Sequence, residues 1–343
     1  MIVDVVVEPT ALLELSAGHL ARGALPAQAL FIETIKAHGA FLFSSEADLV
    51  ELAMFASKST QLNANERKRF SDLLLFMKER KRLILDAGLR VGYEQVIDAA
   101  ILKSVPLGDD LVMVLGTEHF DRAFPDNEEG VATESGVSAS LASTLTAVSS
   151  VMAKRTLAVT NKHPSGYSRE AVWLELFAPI ARHSRDVTIV DSYLFGEMAA
   201  RKKGNRNAAQ QEHVAWLLSK LASTAKLGTR VKLIGGYDEL VPSDANEVMS
   251  MVLSQWKDEP RSIVELKVVM ASRHDLPHGR HLRFGGLAFG LDEGFDRLRR
   301  PALWDVDGLN WKYLWSDAAI NDLRERETRI ERRPSASFAV RAL

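Results

Sequence analysis

Cysteine is absent from the chain, which removes disulfides, thiol nucleophiles and every thiolate-based zinc or iron–sulfur site together. That absence fits a reducing compartment, so a cytoplasmic location is expected. No run of about 18 apolar residues occurs, so no membrane-spanning helix is expected. The apolar opening Met1–Val7 is interrupted by Asp4 and lacks the basic start and cleavage pattern of a signal peptide. Charge of one sign is lacking too: 43 Lys and Arg face 45 Asp and Glu, for a net −2, so any attraction for an anion must be local. A Walker loop, a Rossmann fingerprint, a Gly-x-Ser-x-Gly elbow and a His-Glu-x-x-His motif are all missing. No cofactor and no bound metal are expected.

What is present is an ordinary globular composition, 46% hydrophobic and 26% charged, in a chain of 343 residues, long enough for two domains. The patterning is α/β throughout. Strand Ile2–Val7 leads into helical periodicity from Pro9 to about His38, then an apolar run Phe41–Phe43. Helices follow at Glu46–Ser57, capped by Ser44 or Ser45, and at Asn65–Arg82, with a further helix at Tyr93–Leu102 and a buried-type strand at Leu111–Leu115. Residues 1–130 form an N-terminal α/β domain on this reading. The Ser/Thr/Ala-rich stretch 131–160 is a connecting segment. Residues 161–318 form a second domain with a mostly parallel sheet, and 319–343 a C-terminal helix and tail.

The second domain reads as helix Ser168–His183, strand Val187–Val190, helix Asn207–Ala225, strand Val231–Ile234 ending in Gly235-Gly236, helix Ser243–Gln255 capped by Ser243, and strand Val264–Met270. Such a β-α-β-α-β order implies parallel strands joined by right-handed crossovers. His281–Phe284 and Leu287–Phe289 flank Gly285-Gly286, a two-residue hairpin signal. Ligands of open α/β sheets bind at strand carboxyl ends. Asp191-Ser-Tyr193, Gly235-Gly-Tyr237 and the loop from Arg273 to Arg280 should therefore converge. Imidazoles beside guanidinium groups in that loop suit a phosphate. The run from Arg201 to Arg206, before the expected helix at Asn207, offers phosphate-backbone contact or a plain solvated loop. Arg324–Arg333 reads as an ion-paired exposed helix, and Trp304, Trp311, Tyr313 and Trp315 as late core packing.

The run His278-Gly-Arg280-His-Leu-Arg-Phe284, followed by Gly294-Phe-Asp296-Arg-Leu298, resembles the late segment of phospholipase-D-like domains. The branch it is most similar to is found at the C-terminus of microtubule-interacting-and-trafficking proteins and in bacterial conflict-system proteins. Trp173–Pro179 and Asp191–Tyr193 agree with that branch upstream, so the resemblance covers about residues 165–315. It implies a nuclease or nucleic-acid sensor of a bacterial defence system, acting with partner proteins of the same operon. His278 and Arg280 would be the catalytic pair, and Arg273, His274, Asp191, Tyr193 and Asp296 the phosphate-binding shell. Two departures stand out. Arg280 replaces the family's Lys, and the position of its Asp falls on Gly285. A phospho-histidine mechanism also needs a second histidine to protonate the leaving group. His274, His281 or the same residue of a homodimer would supply it.

Two other readings stay open. A degenerate site can serve as a binding or scaffold module for a phosphate-bearing ligand, an acidic lipid or a partner protein. The N-terminal domain loosely resembles PIN-type ribonucleases, in which Asp4, Glu46 or Glu51, Asp98 and Glu118 or Asp121 would gather a divalent metal ion.

Overall fold

In a computed structural model of the chain, the structure describes residues 3–17, 27–85, 111–126, 130–132, 137–142, 163–164, 166–202, 212–276, 278–292, 294–303 and 309–343. The chain divides into two compact units, Met1–Leu157 and Ala158–Leu343. Both are α/β. Among the described residues no helix is long and apolar enough to cross a membrane.

In the first unit, β1 (Val3–Val7), β2 (Gly39–Phe43), β3 (Leu83–Leu85), β4 (Leu111–Leu115), β5 (Gly130–Ala132) and β6 (Val137–Leu141) form one sheet in the order β3-β2-β1-β4-β6-β5. All neighbours are parallel except β5 against β6. The fully buried pattern of β2 and β4 explains their unbroken apolar sequences, because a parallel strand is covered on both faces. Among the described residues the unit also holds helices α1 (Ala11–Ala17), α2 (Ala27–His38), α3 (Glu46–Lys58), α4 (Ala64–Glu79) and α5 (Thr117–Ala123). Ser45 caps α3 and Asn63 caps α4, each through a reciprocal capping box, as the polar residues before each apolar periodicity require. The expected helix at 93–102 lies outside the described residues. The supposed connecting segment does not begin at 131, because β5 and β6 belong to this sheet.

The second unit holds a seven-stranded sheet in the order β12-β11-β10-β7-β8-β9-β13. Strands β7 (Asp186–Asp191), β8 (Thr229–Tyr237) and β9 (Ile263–Ser272) are parallel. The hairpin of β10 (Arg280–Phe284) and β11 (Leu287–Leu291) lies antiparallel beside β7. Gly285 supplies the positive φ, 57°, that its two-residue turn demands. β12 (Trp311–Leu314) and β13 (Ser337–Ala342) close the two edges. The helix preceding β7, here α6, runs as Arg169–Val172, a π turn at Trp173–Phe177, and Ala178–Ala181. Pro179 has no N–H for the carbonyl of Glu175, which accounts for the wide turn just before it. Then come α7 (Gly196–Lys202), α8 (His213–Thr224), α9 (Ala245–Gln255) and α10 (Asp317–Glu331). Asp244, and not Ser243, caps α9, its carboxylate accepting from the Asn246 N–H at 2.9 Å.

The helix expected within 319–343 is α10, and β13 follows it in the sheet where a tail was expected. Ile320, Leu323, Glu327 and Ile330 of α10 are buried against the sheet face. Ile330 joins Val190, Ile234 and Val269 in an apolar cluster. Glu327, 2% exposed, accepts from Arg283 Nε at 2.7 Å and lies 3.1 Å from His281 Nε2. Arg283 also donates to Thr188 Oγ1 on β7 at 2.9 Å. Burial pushes the Glu327 carboxyl up, but the bonds and charge of Arg283 and His281 outweigh it and hold the group down at about 2. A carboxylate depressed in the folded state stabilises above its unfolded pKa and loses that contribution as pH falls through the folded one. Stability should therefore decline between pH ~4.5 and ~2 in the native protein, and Glu327→Gln should flatten this limb of a urea-midpoint profile. At pH 7 the same substitution should cost about 3 kcal/mol, because Arg283 is left buried with one charge unanswered.

Candidate functional site at the carboxyl edge of the second sheet

β7 ends on Asp191, a carboxylate only 2% exposed. Its Oδ1 accepts from the backbone N–H of Tyr193 at 2.9 Å, the local turn expected of an Asp that closes a strand. The same oxygen accepts from Arg280 Nε at 3.3 Å, and Oδ2 from the N–H of Phe295 at 2.9 Å. One side chain thus ties the end of β7 to the start of β10 and to the 3₁₀ turn Phe295–Arg299. Arg280 is held further by the carbonyl of Asp292 at 3.1 Å. Gly294 packs between two carboxylates: a Cβ there would lie 2.5 Å from Asp296 Oδ1 and 3.1 Å from Asp191 Oδ2.

Above this anchor, Tyr193 stands 53% exposed with the Arg273 guanidinium 4.5 Å and the Arg280 guanidinium 5.8 Å from its ring centre. Arg273 also pairs with Asp238 at 2.5 Å, just past the end of β8. Stacking on a ring leaves a guanidinium edge available for planar hydrogen bonding, which is the property that suits Arg to phosphate. Asp191, Tyr193, Arg273, Arg280 and Asp296 therefore meet at one sheet edge. His274 and His278 are exposed on the loop joining β9 to β10. Neither makes a hydrogen bond or ion pair to this cluster among the described residues.

Three expectations change. His281 is no second catalytic histidine, because it points to the sheet face and is engaged by Glu327. Gly235 and Gly236 lie inside β8 and form no loop after it. A Cβ on Gly235 would meet the Phe195 ring at 2.5 Å, and one on Gly236 would meet Arg273 Cγ at 2.5 Å and the Ser192 carbonyl at 2.7 Å. These glycines let the Asp191–Gly196 turn and Arg273 lie directly on the strand. The basic run from Arg201 is described only as far as Lys202, which ends α7 and pairs with Glu247 at 2.8 Å; positions 203–206 lie outside the described residues.

The sequence reading passed over His213 and Glu212. Both are about 1% exposed at the start of α8, with Glu212 as the cap accepting from Val214 and Ala215 N–H at 2.9 and 3.1 Å. His213 Nδ1 lies 2.8 Å from Glu212 Oε1, close enough for a charge pair although the ring N–H is not aligned for a hydrogen bond. Burial opposes a charged imidazole here, but Glu212, Asp191 and Asp296 together raise the His213 pKa. The charged form of His213 is thus favoured by the carboxylates around it. The only sequence signal was a Glu-His pair opening an apolar helix, which reads equally well as a surface cap.

In the first unit, the acids considered as metal ligands do not gather. Asp4 pairs in register with Leu111 at the amino end of β4, whereas Glu118 and Asp121 follow its carboxyl end. Glu46 and Glu51 lie on α3, and 98 is outside the described residues. Among the described residues no group of three His, Asp or Glu is placed to hold a metal ion. The carboxyl ends of β1 and β4 bring together other residues: Glu8, bonded to Thr10 and His119 and accepting from Gly116 N–H at 3.0 Å, and Glu14 with the Thr117 N–H.

A group whose folded pKa is raised stabilises fully below its unfolded pKa, and that contribution is lost as pH rises through the folded value. Native stability should thus fall as pH climbs from about 6.5 through the raised His213 value, and His213→Gln should remove that slope. Histidine ring ¹⁵N shifts that report a neutral His213 below pH 6 would contradict the assignment. Searched against models of known families and against curated proteins, the chain matches none.

Proposed function

We propose that the carboxyl edge of the second sheet recognises a phosphodiester, with nucleic acid as the ligand class, in the manner of a divergent phospholipase-D-like domain serving bacterial defence. The observation that carries this reading is the pair Arg273 and Arg280 set against the exposed ring of Tyr193 at the ends of three strands. The guanidinium N–H groups not taken by Asp191, Asp292 and Asp238 provide donors for phosphate oxygens, and the tyrosine face provides a surface on which a base can stack. His278, exposed two residues before β10, meets the ligand first and would be the nucleophile of any turnover.

Recognition is favoured over hydrolysis on chemical grounds. The buried end of Arg280 is already committed to Asp191, and the position where the family carries its Asp is Gly285, with positive φ in the hairpin turn. His281, which could have protonated a leaving group, is held by Glu327. A homodimer would have to bring a second histidine to His278 to restore the mechanism.

Fluorescence anisotropy with single- and double-stranded DNA and RNA tests the proposal. Binding should be salt-dependent, and Tyr193→Ala and Arg273→Ala should each weaken it on the order of tenfold, the scale of one stacked base or one charge-assisted bond. Both residues lie outside the core, so the variants should keep their fold. Equal affinity of wild type and both variants, or binding only to anionic vesicles, would sink the nucleic-acid reading. Nuclease assays of His278→Ala should match wild type; a loss of measurable cleavage would show that turnover persists.

A further inference from the structure

At the opposite end of β7 the sheet carries a second charged concavity. Asp186 begins the strand that Asp191 ends, roughly 16 Å away at the rise of an extended strand. A cleft of about 290 Å³ opens here, lined by Asp186, Thr188, Arg230, Lys232, Glu265, Lys267, Arg283 and Arg324, among others.

The registers show how the charges are laid out. Arg283, Thr188, Lys232 and Lys267 are successive cross-strand partners on β10, β7, β8 and β9, so they form one row on one face. Asp186, Arg230 and Glu265 form the next row outward. In that outer row Arg230 is flanked by two carboxylates, which leaves the row one negative charge in excess. The inner row is different. Like charges directly opposite on neighbouring strands repel, yet Lys232 and Lys267 are such a pair, and both reach the single carboxylate of Glu331 at 2.5 and 2.6 Å. Glu327 answers Arg283. Arg324, exposed on α10 above the row, donates to the Gly285 carbonyl at 3.3 Å and has no carboxylate partner among the described residues. Around the cleft five cations, Arg230, Lys232, Lys267, Arg283 and Arg324, face four carboxylates, Asp186, Glu265, Glu327 and Glu331, and the positive surplus lies in the inner row. A sheet face beneath a helix is ordinarily apolar, as the neighbouring row Val190, Ile234 and Val269 under Ile330 is. Docking of Glu327 and Glu331 accounts for Arg283 and for one charge of the Lys232–Lys267 pair, and leaves the second lysine charge and Arg324 over.

We infer that this cleft is a binding site for a small phosphate-bearing ligand, separate from the edge at Asp191. The phosphate takes Lys232, Lys267 and Arg324, sharing the two lysines with Glu331. The outer carboxylates Asp186 and Glu265 face the remainder of the ligand, so that part carries hydrogen-bond donors and no further negative charge. The size of the cleft suits a compact metabolite, near the lower limit of ordinary ligand pockets. The inference does not depend on the proposed function of the other edge.

Inorganic phosphate is the probe, titrated calorimetrically into the protein at low salt. Saturable one-to-one binding is expected. Arg324→Glu, on an exposed position that leaves α10 its buried stripe, should weaken it by tenfold or more, since it removes one charge-assisted bond and adds a like charge. Glu331→Gln should tighten it, because it releases two ammonium groups, and Arg273→Ala should leave it unchanged. Absence of saturable heat overturns the inference. So does binding that is indifferent to both Arg324→Glu and Glu331→Gln, or binding abolished by Arg273→Ala, which would place the anion at the other edge.

Discussion

The buried carboxylate of Asp191 is the constraint on which the second unit's candidate site depends. An ionised carboxylate removed from water is tolerated only when its lone pairs are answered. Here the answers come from three separate segments: the turn after β7, the first residue of β10, and the backbone that opens the 3₁₀ turn at Phe295. Satisfying one charge therefore fixes three loops relative to each other. The exposed groups above it, Tyr193, Arg273 and Arg280, inherit their positions from that requirement. His213 and Glu212 belong to the same arrangement from below, where Glu212, Asp191 and Asp296 raise the pKa of the buried imidazole.

A parallel logic operates at the other end of the strands. Glu327 and Glu331 descend from α10 onto a row of basic residues that the sheet presents. The first carboxylate is deeply buried and anchors the helix. The second is shared between two lysines and is partly solvated. Both ends of the sheet are thus organised by acids from one element neutralising bases from another, with apolar packing between. At the Asp191 edge the exposed Tyr193 ring stands between two guanidinium groups, whereas at the other end a single ammonium, Lys267, lies over the exposed Phe338 ring.

How legible this was in the sequence depends on the kind of signal. β4 was readable because two-sided burial leaves an unbroken apolar run, β1 and β7 because only Asp4 and Thr188 interrupt theirs, and the hairpin because Gly285-Gly286 permits the positive φ of a tight turn. The convergence of Asp191, Tyr193, Arg273 and Arg280 followed from strand direction alone. Burial of charge was not readable. Arg324–Arg333 resembles a solvated helix, although Ile320, Leu323, Glu327 and Ile330 mark a buried stripe with one acid in it; a carboxylate in such a stripe signals a basic partner on the sheet. The glycine pair in β8 looked like a loop because the sequence does not show which side chains, Phe195 and Arg273, must pass over it. His213 was invisible for the same reason, since its carboxylate neighbours arrive from residues 191 and 296.

The placement of α10 and β13 has a consequence for synthesis. Strands β7, β8 and β9 and the hairpin leave the ribosome well before residues 317–342 do. Until then the edge of β9 that β13 later pairs with is open, and Arg283, Lys232 and Lys267 lack the glutamates that neutralise them. The nascent unit is therefore a partly assembled sheet with a cationic face and a bare strand edge, a state prone to pairing with polyanions or with other chains. In the folded unit β13 covers that edge and α10 supplies the two glutamates.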